Sequence, residues 1–290
     1  MRFAKYNGIG NDFVMFGDPD NRMVVTPELV RRLCDRRFGV GGDGVIRVGP
    51  GNDGAELFMD YYNSDGSVGE MCGNGIRCVA VFSRSEGLTT STEIPIGTRA
   101  GLKVVEVLPD GRVRVDMGGP EFRPSEIPVL SSDDDALRLS LHVVAEDAGE
   151  SAGALTIQAA CLSMGNPHAV LFVDDPASAP VTTLGPMIEH HKVFPNRANV
   201  EFVRVESEDR IRMRVWERGV GETLACGTGA CAAAVASRIL QGADAHVEVH
   251  LPGGLLDVEW DGSVEDPASV YMTGEAVQNF DGDIDLKEYS

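Results

Sequence analysis

The sequence predicts an α+β protein that consists of two copies of one domain. The strongest indication is a repeated motif, because Cys72-Gly73-Asn74-Gly75 recurs 154 residues later as Cys226-Gly227-Thr228-Gly229. Two further pairs keep offsets of 154 and 155 residues: Tyr62-Asn63 with Trp216-Glu217, and Gly10-Asn11 with Gly165-Asn166. This period is too long for a solenoid, whose repeats span a few tens of residues. We therefore expect two pseudo-symmetric domains, each with a cysteine at the start of a helix.

Length and composition fit two domains of ordinary size. The chain has 290 residues, of which 43% are hydrophobic, so each copy can bury a core. We predict one domain at residues 1–120, completed by a C-terminal strand at about 275–290 and carrying Cys72. The second domain is predicted at residues 121–274 and carries Cys226.

Charge and cysteine content argue against several classes of protein. The net charge of −20 argues against a nucleic-acid partner, since phosphate binding needs a basic face. No apolar run approaches the roughly 18 residues of a membrane span, and the N-terminus lacks the apolar core of a signal peptide. Six cysteines are sparse for a secreted disulfide framework. We therefore predict a cytoplasmic protein with no nucleic-acid or membrane partner.

Local signals predict the helices and strands along the chain. Thr26 is a predicted N-cap and Pro27 the first residue of a helix that runs to about Arg37. Apolar runs bounded by turn residues predict strands at 55–62, 101–107, 113–117, 200–205 and 211–216. Acidic stretches at 131–135 and 146–150 are predicted to be loop tips.

The helices that follow the two repeated cysteines have little polar face. Residues 75–83 and 230–235 are largely apolar, which is typical of helices that are buried on all sides. We expect each helix to be wrapped by the strands of its own domain, with its N-terminus at a cleft.

The position of the repeated cysteines predicts acid–base chemistry. Helix N–H groups and the helix dipole favour thiolate, so we expect lowered pKa values for Cys72 and Cys226. The glycines after each cysteine let N–H groups approach a carboxylate or a developing oxyanion. With an amino acid held by both, one sulfur would remove the α-proton and the other would deliver a proton. The pattern indicates cofactor-free inversion of a stereocentre.

Alternative interpretations of the cysteines are weaker. The remaining cysteines lie in apolar stretches and are predicted to be buried hydrophobic residues: Cys34, Cys78, Cys161 and Cys231. We expect no metal, because the ligand spacing of structural zinc sites is lacking, and a Cys72–Cys226 disulfide is disfavoured in a reducing compartment. Residues 39–44 match a dinucleotide-binding fingerprint, but a strand-like segment at 45–48 follows where that motif requires a helix.

A second set of candidates consists of polar residues set among glycines and turns: Asn11, Asn63, Asn166, His168, Asn199, Glu217 and Arg218. Single asparagines before glycine or proline often only form turns. Asn11, Asn63 and Asn166 are stronger candidates because they occupy matched positions of the two copies. Glu217 replaces Asn63 in the second copy and breaks the symmetry. Arg218 offers a guanidinium fork for a carboxylate.

Together these motifs closely resemble those of the diaminopimelate epimerases, a family of pyridoxal-independent amino-acid epimerases. The resemblance covers nearly the whole chain and rests on the segments 8–13, 63–67, 71–75, 163–168, 197–199, 217–219 and 225–231. It implies two pseudo-symmetric domains, each a mixed β-sheet or barrel wrapped around a central helix, with the active site in the interdomain cleft. It also implies interconversion of LL- and meso-diaminopimelate for lysine and peptidoglycan synthesis, without a cofactor, by a homodimer.

The resemblance also implies roles for the matching residues. Cys72 and Cys226 correspond to the acid–base thiols, and Glu217 and His168 to groups that set thiol protonation and contact the reacting amine. The carboxylate-binding backbone corresponds to Gly73-Asn74 and Gly227-Thr228. The residues that hold the distal end of the substrate correspond to Asn11, Asn63, Asn166, Asn199 and Arg218. Gly44 stands where some members carry a glutamine contact.

Two other functions stay open at this point. A proline or hydroxyproline racemase also uses paired cysteines but needs no grip on a distant second carboxylate, so the asparagines and Arg218 favour the longer substrate. A non-catalytic amino-acid-binding or redox-sensing protein would bind its ligand without exchanging the α-proton. Retention of both cysteines and Glu217 disfavours that alternative.

Overall fold

The computed structural model describes residues 1–131, 135–143 and 155–286. The chain divides into two compact units, Met1–Asp116 with Thr273–Ser290, and Met117–Met272. The predicted loop at 146–150 and most of the one at 131–135 lie outside the described residues.

The first unit opens the chain with strands and helices in the following order: β1 (Arg2–Gly8), β2 (Asn11–Gly17), α1 (Pro27–Cys34), β3 (Gly44–Pro50), β4 (Leu57–Asn63), α2 (Gly73–Ser85), β5 (Glu93–Thr98), β6 (Gly101–Val107) and β7 (Val113–Gly118). The chain continues with a 3₁₀ turn (Ala136–Arg138), β8 (Leu139–Val143), β9 (Leu155–Ser163), β10 (Pro167–Phe172), α3 (Val181–Glu189), β11 (Asn199–Ser207), β12 (Arg210–Glu217), β13 (Gly221–Thr223), α4 (Gly227–Gln241), β14 (His246–Leu251), β15 (Gly254–Glu259), β16 (Val270–Gly274) and β17 (Val277–Asp283).

The strand pairings repeat in the same order in the two units. In the first unit β1–β2 is antiparallel, β2–β3 parallel, β3–β4 antiparallel, β4–β5 parallel and β5–β6 antiparallel. In the second unit β9–β10, β10–β11, β11–β12, β12–β14 and β14–β15 alternate in the same way. The predicted α+β fold with a duplicated mixed sheet is therefore confirmed.

Each unit is built around one buried helix. Helix α2 packs against β1, β2, β3, β6 and β17, and α4 packs against β9, β10, β11, β12, β14 and β15. Every residue of α4 from Gly229 to Ser237 is buried, and α2 is buried over most of its length. The other four cysteines are buried, as predicted. In the described part of the chain, no helix has the length and apolar character needed to cross a membrane.

One predicted helix end is wrong. Helix α1 ends at Cys34 rather than near Arg37, because Asp35 adopts an extended conformation with ψ of 121°. The carboxylate of Asp35 accepts hydrogen bonds from the backbone N–H groups of Arg37 (2.7 Å) and Phe38 (2.8 Å). This turn competes with continued helix, as aspartate side chains often do.

Candidate active site

The two repeated cysteines are the N-cap residues of the two central helices. Cys72 precedes α2 and its sulfur accepts a hydrogen bond from the N–H of Gly75 at 3.4 Å. Cys226 precedes α4 and its sulfur accepts from the N–H of Gly229, also at 3.4 Å. Both cysteines have extended backbones, and both sulfurs lie at the positive end of a helix dipole.

We define two half-sites by the predicted residues of each unit. The N-terminal half-site consists of Asn11, Asn63, Cys72, Gly73 and Asn74. The C-terminal half-site consists of Asn166, His168, Asn199, Glu217, Arg218, Cys226, Gly227 and Thr228.

In the N-terminal half-site, the side chain of Asn11 contacts the sulfur of Cys72 directly. The Cys72 thiol donates to Asn11 Oδ1 at 3.5 Å, and Asn11 Nδ2 donates to Asp43 Oδ2 at 2.9 Å. Asp43 is in turn paired with Arg36, whose guanidinium lies 2.8 Å from its other carboxylate oxygen. The Asn11 amide is therefore held in one orientation, with its oxygen toward the sulfur.

A buried guanidinium supports the first turn of α2. Arg77 is fully buried, and it donates to the carbonyl oxygen of Gly73 at 3.1 Å and to Asn74 Oδ1 at 3.0 Å. Its Nε donates to the carbonyl oxygen of Glu275 at 3.2 Å. Sequence reasoning missed Arg77, although a charged residue inside an otherwise apolar helix is a usable signal.

Asn63 is oriented by a tyrosine that was also missed. The Tyr61 hydroxyl donates to Asn63 Oδ1 at 2.6 Å, which leaves Asn63 Nδ2 to donate to Ser67 at 3.0 Å. A Cβ atom built at Gly44 would lie 2.7 Å from the Tyr61 ring, and one at Gly69 would lie 2.3 Å from it. The space that a side chain at residue 44 would need is thus occupied by the Tyr61 ring.

Cys226 lies among acidic groups in the C-terminal half-site. Its sulfur is 3.5 Å from the Thr228 hydroxyl oxygen, and it also interacts with the carboxyl of Glu217, which is hydrogen-bonded to Thr223. Burial raises the pKa of Glu217. Burial, with Glu217 and Glu201, raises the pKa of Cys226 well above its usual value, against the opposing hydrogen bonds from Thr228 and Gly229.

The predicted lowering of the thiol pKa is therefore wrong for Cys226. The helix N–H acts in the expected direction, but desolvation and two nearby carboxyl groups outweigh it. Cys226 carries its proton near neutral pH, because a thiolate would add negative charge to a buried acidic cluster.

His168 is fully buried and bonded on both ring nitrogens. Nδ1 lies 2.7 Å from Glu201 Oε1, and Nε2 lies 2.9 Å from Asn166 Oδ1. Asn166 Nδ2 donates to the Thr228 hydroxyl at 3.3 Å. Glu201 is fully buried and was missed by sequence reasoning, although a glutamate between Val200 and Phe202 in a strand stands out.

Asn199 and Arg218 are joined by a hydrogen bond in the C-terminal half-site. Asn199 Oδ1 accepts from the backbone N–H of Arg218 at 2.9 Å, and its Nδ2 donates to the carbonyl oxygen of Pro167 at 3.1 Å. The Arg218 guanidinium donates to the carbonyl oxygen of Asn196 at 3.3 Å. Asn199 thus fixes the backbone from which Arg218 projects.

No group of three or more His, Cys, Asp or Glu side chains is placed to hold a metal ion among the residues that the structure describes. The half-sites offer instead two sulfurs, buried carboxyl groups, one imidazole and helix N–H groups, which suit proton transfer beside a bound carboxylate.

Comparison with known proteins gives the same family by two routes. The diaminopimelate epimerase family model matches residues 3–123 and 160–278. Curated relatives include a diaminopimelate epimerase of Moorella thermoacetica, 47% identical over 99% of this chain and 100% of the relative. Another from Thioalkalivibrio sulfidiphilus is 47% identical over 99% of both chains.

Solved structures share the fold at low sequence identity. A probable proline racemase from Agrobacterium radiobacter K84 matches with a TM-score of 0.69 at 17% identity, covering 98% of this chain and 93% of the other. A hydroxyproline epimerase from Agrobacterium vitis matches with a TM-score of 0.68 at 15% identity, covering 98% and 90%. On the family model and the curated relatives, the chain belongs to the diaminopimelate epimerase family and is an isomerase.

Proposed function

We propose that this protein interconverts LL-2,6-diaminopimelate and meso-2,6-diaminopimelate without a cofactor. The observation that carries the proposal is the duplicated cap, in which Cys72 and Cys226 each place a sulfur beside the N-terminal N–H groups of a buried helix. Membership of the epimerase family supports the same substrate.

The reaction we propose uses the two sulfurs in turn. One thiolate takes the α-proton, so that a C–H bond breaks and an S–H bond forms, and the electron pair remains on the substrate. The other thiol then gives its proton to the opposite face of the same carbon. For the reverse direction the two sulfurs exchange roles.

The helix N-termini stabilise the charge that develops in this reaction. As the α-proton leaves, negative charge spreads into the adjacent carboxylate. The N–H groups of Gly73-Asn74 and Gly227-Thr228 lie at the positive ends of α2 and α4 and are suited to bind that carboxylate.

The remaining residues hold the substrate and its protons. We assign Asn11, Asn63, Asn166, Asn199 and Arg218 to the distal end of diaminopimelate, where amides and a guanidinium match an amine and a carboxylate. Glu217 and His168 set the protonation of the sulfurs and contact the reacting amine. Since Cys226 holds its proton near neutral pH, it begins as the proton donor.

The proposed setting follows from the same family. We propose a role in lysine and peptidoglycan precursor synthesis, in the cytoplasm, by a homodimer that takes a small-molecule substrate. The acidic chain, with a net charge of −20, supports the absence of a nucleic-acid partner.

Purified protein tests this proposal directly. We would incubate it with LL-diaminopimelate, reductant and no pyridoxal phosphate, and resolve the stereoisomers by chiral chromatography. Formation of meso-diaminopimelate to equilibrium is expected. Turnover of proline or hydroxyproline alone would favour a proline-type racemase, and binding of diaminopimelate without turnover would favour a binding protein.

A further inference from the structure

A chain of hydrogen bonds leads from a buried carboxyl group to the sulfur of Cys226. It starts at Glu201 and passes through His168 (2.7 Å), Asn166 (2.9 Å) and Thr228 (3.3 Å) to the sulfur (3.5 Å). All of its members belong to the second unit. No role for Glu201 follows from the proposed mechanism, yet it is the buried origin of this chain.

The position of Glu201 is enforced by the fold. Its backbone lies in β11 opposite Val170 of β10, and a Cβ atom at Gly229 would lie 2.8 Å from Glu201 Oε1. Glu201 therefore packs directly against the first turn of α4. Its second oxygen, Oε2, has no hydrogen-bond partner among the described residues.

One proton is shared in the hydrogen bond between Glu201 and His168 Nδ1. The proton lies either on the carboxyl or on Nδ1, and burial raises the pKa of Glu201 against the lowering effect of His168. Asn166 Nδ2 donates to Thr228, so the oxygen of the same amide faces His168 Nε2. Because an amide oxygen only accepts, Nε2 carries a proton and donates it to Asn166 Oδ1.

That proton sets the direction of every later bond. Because Asn166 presents its oxygen to His168, its amide nitrogen donates to the oxygen of Thr228. The Thr228 hydroxyl hydrogen is then directed to the sulfur of Cys226. Each donor in the chain points toward the sulfur, so the chain stabilises thiolate when Cys226 releases its proton.

We propose that Glu201 is a positioning residue that fixes the direction of this hydrogen-bond chain and thereby supplies a hydroxyl donor to the Cys226 thiolate. Without it, His168 can take the tautomer that accepts at Nε2. Asn166 then turns over and draws the Thr228 hydroxyl away from the sulfur. The effect of Glu201 on catalysis rests on the proposed function, but its effect on the protonation of Cys226 does not.

The groups around Cys226 allow the effect to be isolated. Facing Cys226 are Glu217 from β12, Glu201 from β11 and Thr228 from α4. His168 from β10 interacts with both glutamates. Because Glu201 also raises the pKa of Cys226, the variants to compare are Glu201→Ile and Glu201→Gln, which both remove its carboxyl group. Only the isoleucine variant also removes the hydrogen bond to His168.

The test is a double-mutant cycle read at the sulfur without substrate. Glu201→Ile is chosen because Ile46 occupies the same position in the first unit, and Thr228→Val removes the hydroxyl. The rate at which iodoacetamide modifies Cys226 at pH 8 is measured by peptide mass spectrometry, with the Cys72 peptide of the same sample as reference. Cys226 is expected to be modified about tenfold more slowly in Glu201→Ile than in Glu201→Gln, and this difference is expected to vanish when Thr228→Val is added to both.

Equal rates in Glu201→Ile and Glu201→Gln, or a difference between them that persists with Thr228→Val, would overturn the proposal. Glu201→Gln is the reference because its amide can still donate to Nδ1, although it lacks the carboxyl group that raises the pKa of Cys226. Val170→Ala is the matched control, since it removes buried volume beside Glu201 and leaves the ratio of Cys226 to Cys72 modification unchanged. If Glu201→Ile fails to fold, Asn166→Leu breaks the same chain at a half-buried position and carries the same expectation.

The outcome is separable from the proposed function. A protein that fails to turn over diaminopimelate but shows the coupled modification rates retains this inference. With active enzyme, Glu201→Ile is expected to lower kcat and leave KM unchanged, because the chain acts on proton transfer. A rise in KM alone would contradict it.

Discussion

The two half-sites share a backbone plan and differ in the side chains buried beneath it. Register and repeat offset match Phe13 with His168, Ile46 with Glu201, Tyr61 with Val215, and Asn63 with Glu217. The first unit therefore has Phe13 and Ile46 where the second has an imidazole and a carboxyl group, and it has the Asn63 amide where the second has the Glu217 carboxyl group. Both keep the cysteine cap and its bond to the third residue of the helix.

This contrast shows how a duplicated fold becomes an asymmetric catalyst. The helix N-terminus is a backbone feature, so duplication copies it without cost. The protonation of each sulfur depends on side chains, and these have diverged: a buried Arg77 supports α2, whereas Glu201 and Glu217 lie near the sulfur at α4. We infer that carboxylate binding is the shared task and proton handling the divided one.

Removing either cysteine sulfur is expected to have the largest effect on activity. Cys72→Ala and Cys226→Ala are each expected to lower kcat by at least about a thousandfold, since each removes an acid–base group. Cys78→Ala and Cys231→Ala are matched controls in the same two helices, where activity should persist. Substantial turnover by either catalytic variant would contradict the two-base mechanism.

Arg218 occurs only in the second copy of the domain. Its counterpart in the first copy is Ser64. Arg218→Ala is expected to raise KM by roughly tenfold to a hundredfold, because it removes the charged hydrogen bonds that we propose Arg218 makes to the distal carboxylate. Arg212→Ala is the control, because Arg212 is an exposed arginine on β12 that pairs with Glu206 of β11. An unchanged KM in steady-state assays would remove Arg218 from the site.

The role of Glu217 in the C-terminal half-site can be tested through the pH dependence of activity. Its carboxyl raises the pKa of Cys226, so Glu217→Gln should lower that pKa and shift the alkaline limb of the kcat/KM profile to lower pH. We also expect kcat to fall by about tenfold or more, since a proton partner is lost. Glu222→Gln, on the neighbouring strand β13, should leave the limb in place. A shift to higher pH would show that the sign is wrong.

Tyr61 should give the smallest effect. Tyr61→Phe removes the hydroxyl that orients Asn63 and is expected to raise KM about threefold to tenfold. Tyr62→Phe is the control, because its hydroxyl bonds Asp60 instead. A KM that responds equally to both variants would show that Tyr61 does not act through Asn63.

The structural features that depend on residues close together in the sequence could be predicted. The contacts that depend on strand pairing could not. The caps at Cys72 and Cys226 follow from a local motif, and the buried helices follow from their composition. Glu201 meets His168 only because β10 and β11 run parallel, and Tyr61 meets Gly44 across β3 and β4. No local pattern contains those partners.

The pKa of the Cys226 thiol could not be predicted from the sequence for the same reason. Helix geometry alone predicts a lowered value, and the Gly229 N–H does act in that direction. Burial and the carboxyl groups of β11 and β12 are tertiary features that reverse the result at Cys226. Charged residues inside apolar segments, such as Arg77 and Glu201, were the signal in the sequence for these buried charged groups.

The most direct test of the two-base account follows deuterium in the first few per cent of reaction. LL-diaminopimelate is incubated with the enzyme in D2O, and both the recovered substrate and the meso product are analysed by mass spectrometry and proton NMR. The account predicts deuterium at the inverted carbon of the product and none in the recovered substrate, because the sulfur that removes the proton is not the one that delivers it. Deuterium appearing equally fast in recovered LL-diaminopimelate would show that one base serves both faces.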